Sequence, residues 1–190
     1  MKSLLLVLTV VHVAFPATST ADDIFLGSGS MVGEMTDQSA IVHVRLTTRS
    51  DQDGKGLIPG RVGQARLRLG TDRDLTDATE TVWKTSRPED DHALRFSLSR
   101  LTPATRHYYR VEYRTEESAA SKTSDLFSFM TAPAADQRAT VFFQLTTCQD
   151  IHGESTYTAM ADQKPDFCIS AGDTVYYDGQ GQARNVPQAW

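Results

Sequence analysis

The sequence predicts a two-part chain. An antiparallel all-β sandwich spans residues 22–132, and the truncated start of a parallel α/β domain, a βαβ unit, occupies residues 136–190. Three observations carry this expectation. Apolar and polar residues alternate in several separate segments before residue 115, the mark of strands with one face in a core and the other in water. Beyond residue 138 the apolar runs lose that alternation, as strands covered on both faces do. Between the two regimes lies Ala132-Pro133-Ala134-Ala135-Asp136, a short small-residue linker that reads as a domain boundary.

Residues 1–21 come first. Lys2 precedes an apolar run from Leu4 to Val11 and on to Phe15, and Ser19-Thr20-Ala21 supplies small residues before Asp22-Asp23. This is the pattern of a signal peptide cleaved after Ala21. The run is shorter than the ~20 residues that span a bilayer, and nothing after Ala21 is long or apolar enough to be a transmembrane helix. The mature chain is therefore expected to be secreted or periplasmic. Its 190 residues carry a formal net charge of −5, which argues against nucleic-acid or anionic-membrane partners, since those require clustered Lys and Arg.

The sandwich strands follow in order. Phe25-Leu26 opens the set. The Gly/Ser segment 28–33 serves a turn, and no helix follows it that would make it a phosphate cradle. Ala40, Val42, Val44 and Leu46 alternate with Ile41, His43, Arg45 and Thr47, which are expected on the wet face. Residues 49–60 form a solvated excursion rich in Gly and Asp. Ala65, Leu67 and Leu69 then alternate with Arg66 and Arg68. Residues 81–83 form a further strand. Leu94, Phe96 and Leu98 alternate with Arg95, Ser97 and Ser99, and Tyr109, Val111 and Tyr113 with Arg110, Glu112 and Arg114. Residues 126–129 close the sandwich.

The second part begins with residues 139–150, an apolar, β-branched and aromatic run that ends on Cys148. In residues 154–163, Tyr157, Ala159 and Met160 stand at helical spacing until Lys164-Pro165. Residues 167–171 form the next strand, broken at Gly172, which delivers Asp173 and, three residues on, Tyr176. Strand, crossover helix and strand make a right-handed βαβ unit, with both strand ends on one edge of the sheet, where the chemistry of such sheets collects. A carboxylate and a phenol at Asp-x-x-Tyr spacing can reach one ion if the backbone curls after the strand. A phenol ionises near neutral pH only beside a strong Lewis acid, so the pair suggests a ferric site.

Two cysteines in an exported chain invite a disulfide. In the assumed register Cys168 lies about 16 Å from the edge that carries Cys148, too far for a bridge. Cys168 is read as a buried core thiol and Cys148 as a free ligand. His152, Asp150, Asp178, His43 and Asp166 are read as loop, surface or turn residues.

Two resemblances sharpen these expectations. The segment 101–111 resembles the Leu-x-Pro-x-Thr-x-Tyr approach to the sixth strand of fibronectin type III-like sandwiches, where a tyrosine hydroxyl pins the preceding loop. Here that corner is His107, expected to make the bond through a ring nitrogen and to act structurally. Thr147-Cys148-Gln149, Pro165-Asp166-Phe167 and Gly172-Asp173-x-x-Tyr176 resemble the opening of the metallophosphatase domain of the PhoD family of alkaline phosphatases and phosphodiesterases. The segment 28–40 is similar to the start of that family's N-terminal domain.

The resemblance implies hydrolysis of phosphate esters by a metal-activated water. Cys148 and Tyr176 are the implied ligands of Fe3+, with Asp173 bridging to Ca2+; Zn2+ or Mn2+ is the alternative second metal. The purple acid phosphatases, which pair iron with those metals, place an Asp where Cys148 stands. The family's Gly-Asn-His and His-x-His elements are not among these 190 residues, so the expectation is an N-terminal portion inactive alone. The competing expectation is an extracellular β-sandwich that binds a partner, with a vestigial phosphatase tail.

Overall fold

The computed structural model describes residues 23–51, 58–117, 120–148 and 154–173. In chain order the strands are β1 (Ser30–Gly33), β2 (Ser39–Arg45), β3 (Gln64–Gly70), β4 (Thr79–Glu80), β5 (Lys84–Thr85), β6 (Ala93–Ser99), β7 (Arg106–Arg114), β8 (Lys122–Thr123), β9 (Phe127–Met130), β10 (Phe143–Thr146) and β11 (Phe167–Ser170); the helix α1 is Glu154–Asp162. One sheet has the order β1-β2-β6. The other is β4-β3-β7-β8, with β5 also pairing β3 and β9 also pairing β7. Every pairing in these two sheets is antiparallel.

The alternation in the sequence is what stacks the two sheets. Registers such as Val42↔Phe96 and Leu67↔Val111 bring inward residues of neighbouring strands level. Ala40, Val42, Val44, Leu46, Ala65, Leu67, Leu69, Leu94, Phe96, Leu98, Tyr109, Val111 and Phe129 are buried together with Ile24. This is a sandwich core, held chiefly by apolar surface withdrawn from water. The Tyr109 hydroxyl, buried with its ring, lies 2.8 Å from Ser30 Oγ and ties the sheets together. Gly29, at φ 69°, makes the turn into β1, with its N–H donating to the Leu26 carbonyl.

Two positions expected on the wet face are buried. Arg45 is closed in because its guanidinium reaches the Ile58 carbonyl at 2.7 Å and both carboxylate oxygens of Asp91 at 2.9 and 3.0 Å. The Thr47 hydroxyl accepts from Gly27 N–H and faces the Phe25 and Arg49 carbonyls. The strand expected at residues 81–83 is instead a break between β4 and β5. Thr81 spans it, its side chain accepting from Leu67 N–H and its N–H donating to the Leu67 carbonyl. Trp83 in that break lies under the guanidinium groups of Arg66 and Arg114, 4.8 and 4.1 Å from its ring.

His107 is buried on β7 and stacks on Phe129 at 5.3 Å. Its imidazole faces the Thr102 backbone of the preceding loop, while its buried Nε2 has no hydrogen-bond partner among the described residues. That loop grips the sandwich exit: Thr131 Oγ1 donates to the Thr102 carbonyl at 2.6 Å, and Ala104 N–H to the Ala132 carbonyl at 2.9 Å.

Beyond residue 142, β10 and β11 pair in parallel, Phe143↔Phe167 through Thr146↔Ser170, with α1 between them in sequence. Asp166 starts this ladder, since its carboxylate accepts from Phe142 N–H at 2.8 Å. Contrary to the sequence expectation, these strands are not buried: Phe143, Leu145, Phe167 and Ile169 are exposed, and so is Cys168, which is no core thiol here. A parallel strand is buried only when elements cover both sheet faces, and among the described residues a two-stranded sheet and one nine-residue helix do not provide that cover. The signal peptide read into residues 1–21 lies outside the described residues, as does half of the excursion at 49–60, residues 52–57. Among the described residues, no helix is long and apolar enough to cross a membrane.

Candidate functional site

The site is built where β10 and β11 end together. Both strands run the same way in register, so residues just past Thr146 and Ser170 emerge side by side. The ladder continues beyond the strands: Ala171 N–H donates to the Thr146 carbonyl at 2.8 Å, and Cys148 N–H to the Gly172 carbonyl at 3.4 Å. There both chains curl. Cys148 (φ 56°), Gly172 (φ 106°) and Asp173 (φ 51°) all take left-handed backbone. Glycine adopts this freely and Asp tolerates it, but for Cys it costs on the order of 1 kcal/mol or more. The curl turns two side chains toward each other, and the Cys148 thiol donates to Asp173 Oδ2 at 3.4 Å. Both residues are open to solvent.

Thr147, next in line on β10's end, ties the same corner. Its Oγ1 donates to the Gly172 carbonyl at 3.3 Å and lies 3.6 Å from Cys148 Sγ. Sequence reasoning passed over this residue although it stands inside the Thr147-Cys148-Gln149 motif. Its role depends on which carbonyl the opposite strand presents, and that is set by register.

The structure thus brings together two of the three residues singled out as ligands, Cys148 and Asp173. Tyr176 lies outside the described residues, as do Asp150, His152 and Asp178. His107 and His43 sit in the sandwich, on β7 and β2. Cys168 pairs with Gln144, four residues before Cys148 along β10, and both cysteines are free.

The donor pair suits a metal ion. With bonds of about 2.0–2.3 Å, two ligands of one ion lie roughly 3.0 Å apart in an octahedron and 3.5 Å in a tetrahedron, and the observed sulfur–oxygen separation falls between these values. A soft thiolate and a hard carboxylate, both anionic once deprotonated, favour a highly charged cation. Among the described residues, no group of three or more His, Cys, Asp or Glu side chains gathers at one point. The described donors at this corner are two, Cys148 and Asp173.

Comparison with known proteins gives the following. The family model described as the PhoD-like phosphatase N-terminal domain matches residues 13–133. Among solved structures, that of PhoD is similar with a TM-score of 0.67 at 19% identity, over 85% of this chain and 30% of that one. This is a likeness of fold, and the chain spans under a third of that structure's length. The sensor domain of the anti-sigma factor RsgI4 in Pseudobacteroides cellulosolvens gives 0.40 at 15% identity, over 61% of this chain and 99% of that one. The third fibronectin III domain of the human KIAA0343 protein gives 0.39 at 12%, over 70% and 100%. Neither of these two scores is high enough to bear on the fold. No curated protein matches.

Proposed function

Because the chain belongs to the PhoD-like phosphatase N-terminal domain family, we propose that it is part of an exported, metal-dependent phosphoric ester hydrolase whose site begins at Cys148 and Asp173. The observation that carries this reading is the 3.4 Å approach of Cys148 Sγ to Asp173 Oδ2 at the carboxyl edge of a parallel strand pair. Two further points support it. The likeness in fold to the structure of PhoD extends over 85% of the chain. The export reading rests on residues 1–21.

In this reading Cys148, Asp173 and Tyr176 would hold Fe3+, and Asp173 would be shared with Ca2+, with Zn2+ or Mn2+ the alternative. The metals supply Lewis acidity toward water and toward the phosphoryl oxygens. The chain's own part is to hold the donors ready. The Cys148 thiol donates to Asp173 Oδ2, which keeps the sulfur and the carboxylate side by side. The left-handed turns at both strand ends keep sulfur and carboxylate converged, so no backbone rearrangement is needed to bring them to one ion. The exposure of both groups leaves the phosphate ester a way in.

The test is a titration of the full chain with ferric ion, followed in the visible for the charge-transfer absorption of thiolate and phenolate ligands, with p-nitrophenyl phosphate and its bis ester as substrates. Absorption that shifts in Cys148→Ser and is lost in Tyr176→Phe is expected. Iron binding indifferent to both substitutions would refute the assignment.

A further inference from the structure

We propose that Thr147 is a positioning residue for the Cys148 sulfur: its hydroxyl locks the corner between β10 and β11 and becomes a hydrogen-bond donor to the sulfur when a metal displaces the thiol proton. The inference rests on the metal-site reading above and follows from counting protons at this corner. With the thiol protonated, the single S–H proton is directed to Asp173 Oδ2. Acceptors in reach of the Thr147 hydroxyl include the Gly172 carbonyl at 3.3 Å and Cys148 Sγ at 3.6 Å. A neutral thiol is a weak acceptor, so the carbonyl takes the proton.

Loading a metal reverses that preference. The sulfur becomes anionic, and a charged acceptor makes a stronger hydrogen bond than a neutral one. The hydroxyl rotates toward sulfur, and the Gly172 carbonyl keeps its other donor, Cys148 N–H at 3.4 Å. Threonine suits the task because its β-branch restricts χ1 and holds the oxygen near both acceptors. Its place immediately before Cys148, on a curled backbone that the opposite strand also holds, keeps that geometry when the ion arrives.

Hydrogen bonds to a ligating sulfur tune the metal. Donation from Thr147 stabilises the sulfur lone pairs, so a sulfur-to-iron charge-transfer band moves to shorter wavelength. The full chain, as wild type, Thr147→Val and Thr147→Ser, is titrated with ferric ion, with Cys148→Ser identifying the sulfur contribution to the spectrum. Thr147→Val, the same shape without the hydroxyl, is expected to shift the sulfur band to longer wavelength. It is also expected to weaken iron binding about tenfold, the low end of what outer-shell partners contribute, because the corner is open to water. Thr147→Ser is expected to restore the band. A band unmoved by Thr147→Val overturns the role assigned to the hydroxyl, whatever happens to affinity, since loosened strands alone would weaken binding without changing its colour. A wild-type chain that binds ferric ion with no sulfur contribution overturns the metal-site reading and this inference with it.

Discussion

Replacing Asp91 with Asn tests the least anticipated feature of the sandwich, the buried guanidinium of Arg45. The Arg45 side chain is 4% exposed and that of Asp91 45%. Arg45 Nε donates to both the carbonyl and the carboxylate of Asp91, Nη1 to the Ile58 carbonyl and Nη2 to Asp91 Oδ1. Asn tolerates the left-handed backbone at this position, φ 49°, so Asp91→Asn removes charge and little else. Breaking a fully buried ion pair costs about 3–5 kcal/mol, and an exposed one contributes about 1 kcal/mol or less.

Here two of the three guanidinium nitrogens keep backbone acceptors, and water reaches nearly half of the carboxylate, so a loss of about 2 kcal/mol is expected, short of the buried limit. Urea unfolding followed by circular dichroism measures it, and the matching fall in Tm is roughly 8 °C or more. Most of the loss should persist at about 1 M salt, since screening acts little on a buried cation. Adding Arg45→Met to Asp91→Asn should recover part of it by removing the stranded charge. A loss under about 0.5 kcal/mol, or one abolished by salt, would mean that Arg45 behaves as the surface residue its sequence position suggested.

Phe96→Ala should cost about 3–5 kcal/mol in the same assay, because Phe96 is 1% exposed at the centre of the core; a loss below about 1 kcal/mol would contradict the packing. Burial pushes the His107 imidazole below its ordinary 6.5, against the pull of the Thr102 backbone and of Asp77. The unfolded chain therefore takes up this proton first as pH falls. The stability His107 contributes is complete above about pH 6.5 and declines below it, and His107→Leu should flatten that branch. A pH slope unchanged in His107→Leu would show that another group titrates there. Asp77 has the opposite chemistry: hydrogen bonds from Thr71 and Asp72 lower its carboxyl to about 2. Its contribution is present above about pH 4 and lost toward pH 2, so Asp77→Asn should remove that acid branch, and an unchanged acid limb would refute the assignment.

Much of the sandwich was legible from alternation. Leu67, Phe96 and Val111 each follow an arginine by one residue, and a strand has no other way to segregate them than to turn them to one face. The tyrosine-corner resemblance likewise foresaw the structural use of His107, because the backbone its imidazole faces belongs to a loop only a few residues back in the chain. The sequence also pointed to Cys148 and Asp173, and these two side chains meet where β10 and β11 end.

Other features depend on partners distant in sequence, and alternation does not encode those. Arg45 and Thr47 carry the pattern of wet-face residues, yet the Ile58 carbonyl, Asp91 and Phe25 close over them. Thr81 ends a strand by inserting its own side chain into the ladder. Cys168 sits in an apolar run, which implies burial, but a run states only what a strand would bury and not what is there to cover it. Thr147 gained a role only when the parallel register set the Gly172 carbonyl opposite it. The sequence alone determined which residues seek a common face, because that preference is carried by each side chain within its own strand. Tertiary structure decided which polar groups are enclosed and which donors meet, because these are set by contacts between segments far apart along the chain.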